Sequence, residues 1–171
     1  MAASKFRGGV SRREKALSQE IERKFLIAND SWRKDVCAVH HIRQGYLAFG
    51  SRAHVRVRIV DEKAAVLTIK SRDGELSRQE FEYPIPVTEA KELIALAEGA
   101  IIEKKRHSVE AGGVKWEIDV FEGDDAGLVI AEIELGNKAQ EFSRPMWLGT
   151  EITGETRYYN SNLARKPFSK W

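Results

Sequence analysis

The chain has 171 residues, of which 32% are charged and 42% hydrophobic, and a net charge of +2 at neutral pH. These values are typical of one globular domain, and the near-neutral balance argues against a general nucleic-acid-binding coat. The single cysteine, Cys37, excludes an intrachain disulfide and makes the cytoplasm the default location. No apolar stretch approaches the roughly 20 residues of a membrane helix, so a membrane is not an expected partner. Because the net charge is close to zero, nucleic acid is not an expected partner either.

The chain divides into two predicted parts. Residues 1–18 contain several basic side chains but lack the apolar run of a signal peptide, and they are predicted to form a mobile basic lead-in. Residues 19–171 are predicted to form one domain that includes a C-terminal helical tail. No internal repeat or low-complexity linker interrupts this second part.

Strand-like segments dominate the domain. Eight strands are predicted, over residues 20–28, 39–49, 54–61, 64–71, 78–85, 101–109, 114–121 and 128–135. Turn signals separate several of them, including Asp73-Gly74 and Gly112-Gly113. A helix capped by Thr88 and ended by Gly99 is expected after the fifth strand. A second helical stretch is predicted from Asn137 to Pro145, and a short one near 160–168.

Charged residues recur at every second position of these strands. In Glu20-Ile21-Glu22-Arg23-Lys24, the two glutamates and the lysine share one face because successive strand side chains point to opposite sides. The same spacing is found in Arg56 and Arg58, Thr68 and Lys70, Glu80 and Glu82, Lys104 and Arg106, Glu117 and Asp119, and Glu132 and Glu134. The alternate positions are mostly apolar and require a cover, which the few helices supply in part.

A charged sheet face has two interpretations. It can simply meet water, as one face of many antiparallel sheets does. However, like charges are grouped within strands, which is not how a face selected for stability alone would be arranged. Eight strands can instead close into a barrel whose interior is a wet, charged tunnel. Arginine suits phosphate oxygens and clustered carboxylates suit Mg²⁺ or Mn²⁺, so the pattern points to metal-assisted phosphoryl chemistry.

The residues also resemble a known family. Glu20-Ile21-Glu22-Arg23-Lys24 resembles the ExExK signature of the CYTH superfamily, the triphosphate tunnel metalloenzymes, and the other charged strands follow in the family's order. Gln44-Gly45-Tyr46-Leu47 and residues 157–164 resemble its short bacterial, tripolyphosphatase-like branch. The resemblance covers nearly all of residues 19–168. It implies a mainly β fold with a few peripheral helices, a closed eight-stranded antiparallel β-barrel that binds a triphosphate and requires a divalent metal.

The resemblance also implies roles for individual residues. Metal ligands would be Glu20, Glu22, Asp119, Glu132 and Glu134, and phosphate-binding cations would be Lys24, Arg56, Arg58, Lys70, Lys104 and Arg106. For catalysis, Glu132 or Glu134 would orient a water, while Lys24, Arg56 and Arg58 neutralise developing charge. Supporting residues implied by the resemblance would be Glu80, Glu82 and Glu117, which orient the cations. The residues themselves suggest two more: Tyr46, which would either bond a lysine of the tunnel or simply pack, and Lys166, which lies on a tail that would either cover one tunnel mouth or present a solvated helix face.

The favoured activity is hydrolysis of inorganic tripolyphosphate to pyrophosphate and phosphate. The same tunnel would also serve a class IV-type adenylate cyclase, which converts ATP to cyclic AMP and pyrophosphate, or a thiamine or nucleoside triphosphatase. A non-catalytic polyphosphate-binding module is a further alternative, although eight carboxylates would give a simple anion binder no advantage. An exposed apolar outer surface would allow two copies to pair as a homodimer.

Overall fold

The fold is built on one antiparallel sheet. A computed structural model describes residues 21–71, 80–137 and 139–171, so the lead-in, Glu20 and the Asp73-Gly74 turn lie outside the described residues. The strands of the described residues are β1 Ile21–Ile27, β2 Val36–Phe49, β3 Ala53–Val60, β4 Ala64–Ser71, β5 Glu80–Ile85, β6 Glu98–Ala111, β7 Val114–Phe121, β8 Val129–Leu135 and β9 Leu148–Glu151. They lie side by side in the order β5-β4-β3-β2-β6-β7-β8-β1-β9.

The predicted mainly β fold is confirmed, with one difference in strand number and closure. All eight predicted strands are present, and the short ninth strand pairs with β1. Among the described residues, the hydrogen-bonded ladders run from β5 to β9 without joining these two edges. The sheet nevertheless curls. Lys24 of β1 influences the pKa of Tyr46 on β2, although four strand spacings would separate them by about 19 Å on a flat sheet.

The helices differ from the predictions. Helix α1 spans Val87–Ile94, and Pro86 occupies its N-cap position without a side-chain hydrogen bond, so the predicted Thr88 cap is wrong. Gly99 does not end this helix but lies in β6 with a φ of +77°, where a Cβ atom would lie 2.3 Å from the carbonyl oxygen of Ala164. Close packing against the C-terminal segment therefore explains this glycine.

The two later helical predictions have different outcomes. No helix forms between Asn137 and Pro145 among the residues described there. The tail forms only short pieces, which are helix α2 at Asn160–Leu163 and a 3₁₀ turn at Phe168–Lys170. In the described part of the chain, no helix is long and apolar enough to cross a membrane.

The outer face of the sheet is apolar and partly covered. A first cluster contains Phe25, Trp116 and Trp147, and Trp32 of the 3₁₀ helix Asp30–Asp35 packs against it. Burial of each such large side chain contributes about 1.5–3 kcal/mol. Helix α1 covers a second cluster on β3 and β4. The described residues do not cover the outer side of β5, where Phe81 and Tyr83 are 49% and 51% exposed.

The inner face changes character along the strands. Ile102, Phe121 and Ile130 lie on the same face as the charged residues two positions away, and they form a third apolar cluster. The C-terminal segment packs into this cluster through Tyr158 and Leu163. The inner face therefore has a charged end, and an apolar end that is filled by the chain's own tail.

Candidate active site on the charged inner face

Strand register places the predicted site residues together. Cross-strand pairing sets charges side by side on one face, which we call the charged face. The pairs are Glu22 with Glu134, Lys24 with Glu132, Glu117 with Glu132, Arg106 with Asp119, Arg56 with Thr68, Thr68 with Glu82, and Lys70 with Glu80. The alternation read from the sequence therefore describes a real surface.

The most deeply buried charges are Lys104 and Asp119, both with 0% exposure. Asp119 accepts a hydrogen bond from Lys104 Nζ and two more from Arg106, whose Nε and Nη2 lie 2.7 Å from its two oxygens. Burial raises the pKa of Asp119, but Lys104 and Arg106 outweigh it and hold the pKa below its ordinary value. Burial lowers the pKa of Lys104 to about 8 against the opposing effect of Asp119. The pair is therefore charged at neutral pH.

Glu132 lies at the centre of a second group. Its two carboxylate oxygens accept hydrogen bonds from Lys24 Nζ and, at 2.8 Å, from Arg106 Nη2. Burial and Asp119 raise the pKa of Glu132, but the neighbouring cations outweigh them, so it stays below its ordinary value. Lys24 also lies 3.0 Å from Glu22. Burial lowers the pKa of Lys24, yet the two glutamates raise it overall, which keeps this lysine charged.

Positive charge is in excess on the β3 side of the site. Arg58 donates from Nε to the amide oxygen of Gln44 at 3.1 Å, so its hydrogen-bond partner is neutral. Burial, then Arg56 and Arg106, lower the pKa of Arg58 to about 10. Arg56 donates to Thr68 Oγ1 at 3.2 Å and lies 3.8 Å from Glu80, while its Nε has no partner in the described part of the chain. This corner of the charged face is suited to an anion.

The carboxylates differ in their availability to a metal. Hydrogen bonds from lysine and arginine engage both oxygens of Asp119 and of Glu132. Glu134 is exposed and lies opposite Glu22, whose side chain is 47% exposed. Partial burial and Glu132 raise the pKa of Glu22. No group of three or more potential ligands occurs among the described residues. Two carboxylates fit Mg²⁺ or Mn²⁺ when substrate phosphates complete the coordination.

The other predicted site residues lie at the margins. Lys70 and Glu80 form an exposed pair at 3.1 Å, and Glu82 is exposed. Glu117 accepts a hydrogen bond from Arg106. The ring of Tyr46 is buried and stacks on Phe49 with centroids 5.0 Å apart, and its pKa is raised by burial against the charges of Arg56 and Arg58.

Lys166 lies on the C-terminal segment, where its side chain is exposed. The lid role predicted for this segment has no direct observation behind it and stays a prediction. Tyr158 and Leu163 show instead that the segment fills the apolar end of the inner face.

Gln44 was not among the predicted site residues, although the structure places it there. It is fully buried on β2, directly opposite Arg58 in the ladder with β3. A pattern of alternating charge does not single out Gln44, because its amide is neutral. Its position two residues before Tyr46 does place both side chains on one strand face, and this spacing could have indicated it.

Comparison with known proteins agrees with this geometry. The family model for the CYTH domain matches residues 18–167. An inorganic triphosphatase of Acetivibrio thermocellus is 42% identical over 156 residues, covering 91% of this chain and 99% of that protein. An inorganic triphosphatase of Nitrosomonas europaea is 36% identical over 148 residues, covering 85% and 96% respectively. A crystal structure of an inorganic triphosphatase superposes with a TM-score of 0.67 at 36% identity, covering 85% of this chain and 93% of the other. The chain therefore belongs to the CYTH-domain family.

Proposed function

We propose that this protein hydrolyses inorganic tripolyphosphate to pyrophosphate and phosphate on the charged face, with the help of Mg²⁺ or Mn²⁺. The observation that carries the proposal is the half-buried Arg58, which has a neutral hydrogen-bond partner, two arginines nearby and only partial compensation from Asp119. Such a partly compensated charge is costly in a free protein and becomes favourable when an anion binds. The two triphosphatase relatives support the choice of reaction.

Substrate binding begins in the region of excess positive charge. Arg56, Arg58 and Lys70 line adjoining positions of β3 and β4, and they would bind one part of the phosphate chain. Arginine can hold two phosphate oxygens at once, which fixes the orientation of the chain as well as its position. The reduced dielectric around the half-buried Arg58 strengthens this attraction.

A second set of cations becomes available through exchange of partners. In the free protein Lys24, Lys104 and Arg106 donate their hydrogen bonds to the carboxylates of Glu132 and Asp119. Phosphate oxygens would compete for the same donors once the chain has bound. These residues then neutralise the charge that develops on the leaving pyrophosphate, which is the main electrostatic requirement of phosphoryl transfer.

Cleavage requires a water in line with the terminal bond. Glu134 is suited to orient it, since this carboxylate is exposed and, within the described part of the chain, accepts no hydrogen bond from a cation. The water oxygen bonds to the terminal phosphorus, the bridging P–O bond breaks, and Glu134 or solvent takes the proton. A divalent ion held by Glu22 and Glu134 would polarise the phosphoryl group.

The shape of the inner face favours a short substrate. The apolar end is packed by Tyr158 and Leu163, so a long polyphosphate could not pass along the whole face. Substrate would enter and product would leave at the charged end. An adenylate cyclase reaction would in addition need contacts to a base and a ribose.

Two further proposals concern the surroundings of the protein. Pairing of two copies would use the outer side of β5, where Phe81 and Tyr83 are exposed. A cytoplasmic location is proposed from the single cysteine of the chain.

The test is a product assay on a panel of phosphates. Tripolyphosphate, ATP, thiamine triphosphate and pyrophosphate are incubated with Mg²⁺ or Mn²⁺, with a chelator control, and phosphate, pyrophosphate and cyclic AMP are measured. We expect chelator-sensitive cleavage of tripolyphosphate to exceed cleavage of the others. Cyclic AMP as the main product would replace hydrolysis by cyclisation, and binding without any product would replace the enzyme by a binding module.

A further inference from the structure

The amide of Gln44 has a fixed orientation and an unused donor. Its Oε1 accepts from Arg58 Nε at 3.1 Å, so the reversed amide would place N–H groups against each other. The Nε2 group must therefore point away from Arg58. Within the described part of the chain Nε2 has no hydrogen-bond partner, although Gln44 is fully buried.

An unpaired buried donor of this kind is costly, which calls for an explanation. Gln44 lies on the charged face opposite Arg58, and Arg56 Nε on the same face is also buried without a partner among the described residues. Both unpaired groups are donors, and they lie in the corner of the charged face where Arg56 and Arg106 act on Arg58 with like charge. All three features are satisfied by one kind of ligand, an anionic oxygen.

We propose that Gln44 is a substrate-binding residue whose Nε2–H donates to a phosphate oxygen of the bound chain. This inference rests on the proposed function, since it assigns a further contact within the same site. Arg58 and Gln44 then act as one unit, in which the arginine supplies charge and also aims the amide. A neutral donor next to the guanidinium allows a phosphate oxygen to be bound without further like-charge repulsion between cations.

A simpler role must be separated from this one, because Gln44 could merely hold Arg58 in place. The experiment uses the full chain in four forms: wild type, Gln44→Met, Arg58→Met and the double variant. Tripolyphosphate is titrated calorimetrically in the presence of a chelator, so that binding is measured without turnover. Gln140→Met is the matched control, since Gln140 is the same residue type and accepts its hydrogen bond from the backbone N–H of Gly136, after β8, and not from an arginine of β3.

We expect Gln44→Met to weaken tripolyphosphate binding about tenfold, the effect of losing a hydrogen bond to a charged group. If the amide touches phosphate directly, the same substitution also weakens binding several-fold in the Arg58→Met background. Steady-state kinetics with Mg²⁺ should show the loss mainly in KM. The control should bind as the wild type does, and urea unfolding should show all variants folded.

Equal binding by the two Arg58→Met proteins would overturn the direct contact and leave Gln44 as a support for Arg58. Equal binding by wild type and Gln44→Met would overturn any role in binding. Either result leaves the proposed function intact if the wild type binds and cleaves tripolyphosphate. A wild type that neither binds nor cleaves it would instead remove the proposed function itself.

Discussion

Replacement of Asp119 by asparagine tests how the buried charges depend on one another. Asparagine keeps the shape of the side chain but removes the charge that faces Lys104, which has 0% exposure. Arg106 retains Glu117 and Glu132, whereas Lys104 loses the carboxylate that it contacts. Breaking a buried pair in this way costs about 3–5 kcal/mol of unfolding free energy. For a domain of this size that corresponds to a fall in Tm of about 6–20 °C.

The destabilisation should depend on pH in a defined direction. The pKa of Lys104 is about 8 in the folded protein and about 10.4 in an unfolded chain, and removal of Asp119 lowers the folded value further. Between these values the unfolded state holds more protons than the folded state, so the stability of Asp119→Asn should rise with pH. Urea unfolding at about pH 6, 8 and 9.5, which runs from below this window to inside it, measures the effect.

A matched control and a rescue make the result specific. Glu110→Gln changes an exposed carboxylate and should alter unfolding by less than about 0.5 kcal/mol. Adding Lys104→Met to Asp119→Asn should recover part of the loss, because no unpaired lysine charge is then buried. A loss below about 1 kcal/mol for Asp119→Asn alone would refute the claim that this pair is buried and charged.

Three further predictions concern substrate binding, metal and packing. Arg58→Met should lower kcat/KM for tripolyphosphate about 100-fold while changing the unfolding free energy by less than about 1 kcal/mol, because removal of a half-buried cation with a pKa of about 10 is offset by loss of the hydrogen bond to the buried amide of Gln44; a large fall in urea unfolding would contradict this. Glu134→Gln should lower kcat about 100-fold and raise the metal concentration required, with unfolding unchanged; Glu141→Gln, also exposed, is the control and should match wild type. Gly99→Ala should lower the unfolding free energy measured in urea by about 2–3 kcal/mol, since its Cβ would lie 2.3 Å from a carbonyl oxygen. Gly113→Ala is also at positive φ but has open space around it, so it should lower that free energy by about 1 kcal/mol. Equal losses would show that the contact at Gly99 is relieved by movement of the backbone.

The strands could be predicted because alternation is a local property. Each of the eight predicted strands carries enough alternating residues to define a face, and the predicted charged face is the one that cross-strand pairing assembles. Strand β9 is only four residues long, too short for a period to be recognised. In the sequence Gly99 follows a helical pattern, which predicts a helix end, but its conformation is determined by contact with Ala164, 65 positions later in the chain.

The depth of each charge could not be predicted in the same way. Alternation indicates which face of the sheet a side chain occupies. It does not indicate how much of that side chain other parts of the protein bury. Lys104 and Asp119 are completely buried, while Glu134 and Glu82 on the same face are exposed. The difference depends on contacts between distant parts of the chain: Lys104 Nζ lies 5.2 Å from the ring centroid of Phe121, which belongs to the apolar cluster that the C-terminal segment joins. Gln44 was missed because it carries no charge.

The most direct test of the proposed hydrolysis is phosphorus NMR of tripolyphosphate mixed with the wild-type protein and Mg²⁺. Hydrolysis at the terminal bond predicts that the tripolyphosphate signals disappear as equal amounts of pyrophosphate and phosphate appear, and that excess chelator stops the change. Tripolyphosphate signals that persist unchanged with Mg²⁺ and with Mn²⁺, at protein concentrations where binding is detected, would contradict a catalytic role for the charged face.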